Sequence, residues 1–416
     1  MAERERERDL DDLVRRMSAA RVPRRGFLAG TGLAGLAAFI AACTGRGNAT
    51  PAASTGSSAA PAASSGGEAS SAPSVAASAA TEVESQLFMY NWADYVDPDN
   101  MEAFKAKFGV TDFTYDTYAS NEELMTRLQG GASGQWDVGA PTAEFIKQMV
   151  EGDYIQKIDF QKIPNAKYIN KQFQEFYKDA DAELNAYHLP KDWGTTGISV
   201  RTKDVKEEVK TWKQFFEVAP KYSGRIVVVD SPGDVFVAPL KSLGYSLNST
   251  DKNELEAARK ILMDFAPHVL ALNSDTYDAQ LASEECVLGL TWTGGIADLR
   301  DAPETADTVY QIPEDGTLYW MDTWCIFKDP PHPEAAHAFL NFIHDPEVQA
   351  KETVTNRYAT ANDEARKHIP KEILEDPTVF VPEDVLNSGL LEGAQDVSTD
   401  PLRIEIWEQF KSSIGG

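Results

Sequence analysis

From residue 86 onward, apolar positions recur with two alternating periods. Gln86 to Asn91 is a short, largely apolar run of strand length. Met101, Phe104 and Phe108 then fall three and four residues apart, which predicts a helix over 100–108 with one apolar face. Phe113, Tyr115 and Thr117 alternate as residues on one side of a strand do, so 111–118 reads as a second strand. Ser120 stands three residues before Glu123 and ahead of Leu124, Met125 and Leu128, a capping box that opens another helix. Trp136 to Pro141 reads as a short strand stopped by proline, with Thr142 at the next helix start.

The theme returns in the second half. Arg225 to Asp230 is a β-branched run of the kind found in buried parallel strands. Ser231-Pro232-Gly233 breaks it, and Asp234 begins a helical stretch through Leu243. Leu255, Ala258, Ile261, Leu262 and Phe265 form one face of a helix over 251–267. Val287 to Trp292 and Tyr319 to Phe327 read as strands, and Pro333 to Phe342 as a helix. Such alternation predicts an α/β protein with mainly parallel sheets flanked by helices. The folded part, about 84–416, exceeds the ~250–300 residues at which a single core stops growing, so two lobes are expected.

Upstream the pattern changes character. Residues 44–83 are almost wholly Ala, Ser, Gly, Pro and Thr, too little apolar bulk to offset the entropy of ordering. About 40 such residues form a tether with a span of roughly 35 Å. Before it come Arg24-Arg25-Gly26-Phe27-Leu28, an uncharged apolar stretch, and Ile40-Ala41-Ala42-Cys43. Charge, a short apolar core and small residues define an export signal. The arginine pair fits the twin-arginine pattern, and Cys43 resembles the lipobox cysteine whose thiol receives a diacylglyceryl group. The stretch 28–42 is shorter than the ~20 residues a helix needs to cross a bilayer. Residues 1–42 therefore read as a twin-arginine lipoprotein signal peptide, and 43–83 as a lipidated cysteine with a disordered linker. The working protein is then expected outside the cytoplasmic membrane, tethered by lipid to its outer face.

Charge narrows the partners. The chain has 39 basic and 65 acidic residues, a net charge of −26. Eight arginines and six acids lie in 1–42, so removing that segment makes the remainder more acidic still. Phosphate backbones need a basic surface, which argues against nucleic acid. Cationic small molecules are favoured by long-range attraction. Beyond Cys43, Cys286 and Cys325 each sit in an apolar strand-like run and are expected as buried thiols, although an export compartment permits a disulfide. No clustered Cys/His spacing suggests a metal, and no cofactor is expected.

The ends of the predicted strands share one chemistry. Trp92, Asp94 and Tyr95 follow the first strand, Thr142 and Glu144 the third, and Asp234 the later β-branched run. Trp292 ends another, and Trp320 and Asp322 lie in the last. In open α/β sheets ligands bind outside the carboxyl ends of strands. Aromatic faces attract ammonium and methylene groups, and carboxylates complete the charge match. The combination suits a flexible, multiply cationic, partly aliphatic ligand.

Several segments, in order along 85–416, resemble the spermidine/putrescine-binding proteins of bacterial polyamine ABC importers. They are Tyr90-Asn-Trp-Ala-Asp-Tyr-Val96, Tyr118-Ala-Ser-Asn-Glu122, Gly152 to Asp159, Leu243-Gly-Tyr-Ser246 and Trp320-Met-Asp322. The resemblance implies a two-lobed type II periplasmic binding protein fold, with ligand in the cleft between lobes that close at a hinge. By position it implies aromatic walls at Trp92 and Tyr95, an amine held by Asp94, and a methylene chain between Trp292 and Trp320. Asp322 and Asp234 would hold ammonium groups, Tyr358 and Thr142 would line the cleft, and Glu392 or Gln395 would supply a C-terminal contact. Glu144 stands where an aromatic residue is usual, Asp94 where Glu is frequent, and Ser231 where some members have Asp. The expected lobes are 84–193 with 321–366, and 194–320 with 367–416. The expected partners are a polyamine and the membrane permease, with the chain a monomer and not an enzyme. Two other readings remain open on the residues alone. One is the same fold binding another amine, an amino-acid derivative or a sugar. The other is an extracytoplasmic glycan hydrolase, because paired carboxylates amid tryptophans also describe those enzymes.

Overall fold

The computed structural model describes residues 82–415, apart from 133, 179–180, 383–384, 386–387 and 395–396. The expected signal peptide, Cys43, all but the last two residues of the linker, and Gln395 lie outside the described residues. No helix among the described residues is long and apolar enough to cross a membrane.

Twelve strands form the framework: β1 (Gln86–Asn91), β2 (Asp112–Thr117), β3 (Val138–Gly139), β4 (Ile155–Gln156), β5 (Leu189–Arg201), β6 (Ile226–Val228), β7 (Val269–Leu272), β8 (Leu288–Trp292), β9 (Thr308–Gln311), β10 (Thr317–Phe327), β11 (Ala359–Thr360) and β12 (Leu391–Gly393). Their order is β2-β1-β3-β10-β5-β8-β6-β7. β1 runs parallel to β2 and β3, and β6 parallel to β7 and β8, as the alternating pattern predicts. Helix boundaries follow local chemistry. Pro98–Phe108 starts where the Asp97 side chain accepts from the Asn100 N–H, and it ends at Gly109 with φ 71°. Lys252–Phe265 is capped by Asp251, which accepts from the Asn253 and Glu254 N–H groups. Ser120 accepts from the Glu123 N–H, as the capping box requires.

The sheets of the two lobes are joined. β5 and β10 are long, antiparallel to one another, and run through both halves, making the sheet continuous. β10 pairs β3 at Cys325 and Ile326 and β5 from Tyr319 to Trp324. The far half of β5 then pairs β8 and β9. The two expected lobe boundaries, 193/194 and 320/321, fall on the neighbouring cross-strand pairs Trp193↔Met321 and Gly194↔Trp320. Both expected boundaries therefore lie inside strands.

Each lobe has its own core. Leu87, Phe104, Val138 and Phe339 pack in the first, beside a neighbouring cluster of Tyr90, Leu124, Ile146 and Phe327. Trp212, Phe215, Val227, Phe236, Leu262 and Phe410 pack in the second. The C-terminal stretch corrects one expectation. Ile369, Ile373 and Phe380 pack with the first lobe, while Glu392 bonds to Lys241 and Asn248 of the second and the helix Pro401–Ser413 packs there through Ile406, Trp407 and Phe410. Cys286 and Cys325 are free, buried thiols.

Candidate ligand-binding site

Where β5 and β10 cross, they bring two carboxylates face to face. Asp192 and Asp322 are cross-strand partners, at a register irregularity between Asp322 and Thr323. One pair further along, Gly194 faces Trp320. A Cβ at Gly194 would lie 2.6 Å from Cζ2 of Trp320, so glycine is what lets the indole lie flat on the strand. The indole meets the Tyr358 ring edge-on at 4.9 Å, and Tyr358 meets Tyr95 at 5.8 Å. Tyr358 follows the helix Pro346–Asn356, which ends at Arg357 with φ 58°.

The walls come from strand ends on both lobes. Trp92, just past β1, is fixed by Nε1 donating to the Ala140 carbonyl at 2.9 Å. Trp292, at the end of β8, donates Nε1 to Asp234 Oδ1 at 3.0 Å. The two indoles meet edge-on at 5.8 Å. The Thr196 hydroxyl also donates to Asp234 Oδ1. Asp234 lies in the first turn of the helix Pro232–Ser242, where the helix dipole favours a carboxylate. Thr142 is clamped by Asn121, which donates Nδ2 to its hydroxyl at 2.8 Å and accepts from its N–H at 3.1 Å. Thr142 in turn bridges to Asp322.

Electrostatically the site holds more carboxylates than cations. Asp322 is 5 % exposed, and its Oδ1 has no hydrogen-bond partner. The same holds for Nε1 of Trp320. Burial, then the charge of Asp192, pushes the Asp322 carboxyl up to about 7, against the pull of Tyr95, Thr142 and Lys191. Burial pushes Glu144 up to about 8, with Asp322, Asp234 and Glu122 adding like charge. Glu122 is raised to about 7 by burial, with Asp234 and Asp230 reinforcing it. Asp234 is raised by burial, which outweighs its bonds from Ser231, Thr196 and Trp292. Lys191 is already engaged: Nζ lies 2.6 Å from Asp192 Oδ2 and 3.4 Å from the centre of the Tyr95 ring.

Trp92, Tyr95, Thr142, Glu144, Asp234, Trp292, Trp320, Asp322 and Tyr358 thus share one neighbourhood. Asp94 and Glu392 differ. Asp94 is exposed with φ 53°, on a rim whose acids include Asp275 and Asp230. Glu392, expected as a ligand contact, is instead already partnered within the fold. Its carboxylate accepts from Lys241, Ser246, the Leu247 N–H at 3.2 Å and Asn248 at 3.0 Å. Burial works against its charge, but Lys241 and these donors hold its carboxyl below the usual range. Asp192, Lys191 and Glu122 were not anticipated. Lys191 and Asp192 lie in a strand that the pattern did not reveal, and Glu122 looked like a helix-start residue. No group of His, Cys, Asp and Glu among the described residues has the arrangement of a metal site.

The arrangement is an aromatic-walled site with uncompensated carboxylates. It can hold a cation with apolar segments by burying each ammonium against a waiting oxygen. Known proteins share this framework. The family described as bacterial extracellular solute-binding protein matches residues 100–381. The spermidine/putrescine-binding periplasmic protein of Escherichia coli is 32% identical over 314 residues, covering 75% of this chain and 88% of the relative. A putrescine-binding periplasmic protein of Pseudomonas aeruginosa is 30% identical, covering 81% of this chain and 95% of the relative. Among solved structures, the spermidine/putrescine ABC transporter substrate-binding protein of Streptococcus pneumoniae superposes with TM-score 0.63 at 27% identity, over 79% of this chain and 99% of that one. A Treponema pallidum lipoprotein superposes with TM-score 0.65 at 27% identity, over the same shares. The architecture is the two-lobed type II periplasmic binding protein fold. By family match and by relatives spanning most of its length, this chain belongs to the bacterial extracellular solute-binding proteins.

Proposed function

We propose that the protein captures a linear polyamine, spermidine or putrescine, between its lobes and delivers it to the permease of an ABC transporter. The observation that carries this reading is Asp322: a buried carboxylate with an unpartnered oxygen, beside the unpartnered indole N–H of Trp320. An isolated buried charge is costly, so such an oxygen suits an incoming ammonium. Trp320 and Tyr358 offer apolar and π surface to the methylene chain, with Trp92 and Trp292 at the opposite wall. Asp322 holds one ammonium, Asp234 another, and Glu144 supplies a further carboxylate. Asp94 on the rim attracts the ligand from a distance. No bond is made or broken, so the protein is a receptor and not an enzyme. The names of the relatives support the ligand class.

The proposed setting is extracytoplasmic. Arg24-Arg25 and Cys43 would direct export and lipid attachment, and residues 44–81 would supply reach to the permease. Labelled fatty acid should enter the wild type and not Cys43→Ala.

The test of the ligand is calorimetric. Spermidine and putrescine should bind the wild type, while neutral sugars should give no heat. Asp322→Asn should weaken polyamine binding by roughly 2–5 kcal/mol, the cost of leaving a buried charge unpaired. Unchanged affinity in that variant would remove Asp322 from the site, and sugar binding without polyamine binding would overturn the ligand class.

A further inference from the structure

Tyr95 stands between the two facing carboxylates, and its hydrogen bonding does not balance as drawn. Its hydroxyl lies 2.5 Å from Asp192 Oδ1 and 2.8 Å from Asp322 Oδ2. A phenol has one proton to donate. Only one carboxylate can receive it, and the other contact then sets two oxygens against each other with no hydrogen between them. Such a contact repels unless the second carboxyl brings its own proton.

The surroundings say which carboxyl that is. Asp192 has a cation on its other oxygen, Lys191 at 2.6 Å, and the shorter contact to Tyr95. It holds the negative charge. Asp322 makes no ion pair, and although the Thr142 hydroxyl and Lys191 pull on its carboxyl, its Oδ1 has no hydrogen bond of ordinary geometry. The groups facing Asp322 from each neighbouring element are few. β5 presents Asp192 and Lys191, the loop after β1 presents Tyr95, and the segment after β3 presents Thr142 and Glu144. Tyr118 follows β2, and Tyr358 follows the helix Pro346–Asn356. Apart from Lys191, which Asp192 engages, these groups are neutral or acidic. We infer that Asp322 carries a proton in the empty cleft, donated to the Tyr95 hydroxyl oxygen, and that an arriving ammonium group displaces it.

The chain of contacts then runs in one sense: Lys191 ammonium to Asp192 carboxylate, Tyr95 hydroxyl to Asp192, and Asp322 carboxylic acid to Tyr95. On binding, the Asp322 O–H bond breaks and its proton leaves to solvent. The resulting carboxylate accepts from the ligand ammonium, which keeps all its hydrogens. Tyr95 keeps its own proton on Asp192. Capture of a cation is thereby an exchange of one positive charge for another, so the net charge of the floor hardly changes. Asp192 and Lys191 are positioning residues in this scheme, and the raised Asp322 carboxyl agrees with it. The inference rests on the polyamine reading.

The experiment is titration of the full chain with spermidine at pH 7 in phosphate, PIPES and Tris, whose ionisation enthalpies differ. The apparent enthalpy should change linearly with that of the buffer, with a slope corresponding to release of about half a proton per ligand from Asp322, which is half-titrated at pH 7. Below pH 7 the affinity should fall about tenfold per pH unit, and it should level off above the Asp322 transition. Tight binding with no buffer dependence would overturn the inference and leave the polyamine reading intact. Absence of binding in every buffer would overturn that reading itself. Glu144→Gln separates the two carboxyls. Release retained in this variant keeps the proton on Asp322. Release abolished with binding retained moves it to Glu144 and sinks the assignment.

Discussion

Two buried carboxylates, Asp322 and Glu352, have carboxyls raised to the same value of about 7, with burial the leading cause in both. Their surroundings are opposite. Glu352 accepts from the Asp97 N–H at 3.1 Å, from Asn100 at 2.6 Å and from Asn356 at 3.3 Å. It ties the loop after β1 to the helix that leads into Tyr358. Asp322 keeps one oxygen unpartnered within the aromatic cleft. A displaced proton affinity therefore does not by itself mark a binding group. An unpartnered atom alone does not either, since Asn100 Oδ1 and Gln349 Oε1 also lack partners; at Asp322 it coincides with the aromatic cleft, where a ligand can contribute what the protein omits.

The sharpest way to break this comparison is to neutralise each carboxyl in turn. Asp322→Asn should lose polyamine affinity by roughly 2–5 kcal/mol while melting within a few degrees of the wild type. Glu352→Ala should do the reverse. It strands the Asn100 and Asn356 amides and should cost about 3 kcal/mol of stability in denaturant unfolding. If both variants lost binding and stability alike, the two sites would not be distinct in kind.

A second, smaller effect concerns the floor under Trp320. Gly194→Val forces a side chain into the indole, and overpacking of this sort costs about 1–3 kcal/mol. The displaced indole should also lower spermidine affinity, whereas a variant that melts lower yet binds unchanged would separate ring position from recognition.

Protonation gives a third handle. Asp322, Glu144, Glu122 and Glu352 all have carboxyls raised to between about 7 and about 8. Between the ordinary carboxyl range and those values the empty folded protein holds more protons than the unfolded chain. Stability that is full at low pH is therefore lost as pH rises through the folded values. Scanning calorimetry should show the empty protein melting lower at pH 8 than at pH 5.5. Saturating spermidine should reduce that difference by satisfying Asp322 and Glu144, leaving the shares due to Glu122 and Glu352. Buried His188 and His344, whose folded values are lowered, work in the opposite direction over this interval, so a melting point that climbs would mean that they outweigh all four carboxyls.

The least effect belongs to the rim. Asp94→Asn should reduce the rate of spermidine association at low salt, by less than about 1 kcal/mol in affinity, and the reduction should vanish at high ionic strength. Stopped-flow measurement at two salt concentrations decides this.

The parts of the fold that were readable in the sequence were those with one exposed face. Lys252–Phe265 shows its apolar stripe because the opposite side meets water. β5 was invisible because all thirteen of its residues are buried, so it has no alternation. Its Lys191 and Asp192 are charged residues whose burial is explained only by their mutual contact. The site was legible where aromatic and acidic residues cluster at strand ends, as at Trp92 and Trp320. It was misread at Glu392, whose cation, Lys241, lies 151 positions away. Glu122 was hidden by its second role, since an acid in the first turn of a helix is ordinary.

The crossing of β5 and β10 has one further consequence. Asp192 and Asp322 sit on the two strands that join the halves of the sheet, which would place them near the axle if the lobes close about those strands. A force applied at an axle has almost no lever arm, so an ammonium arriving there cannot pull the jaws shut by reach. It acts by changing which mutual setting of the two ribbons is comfortable, and both lobes feel that change at once because each is built on the same pair. Occupancy and posture are then one variable, and no relay through the body of either lobe is required.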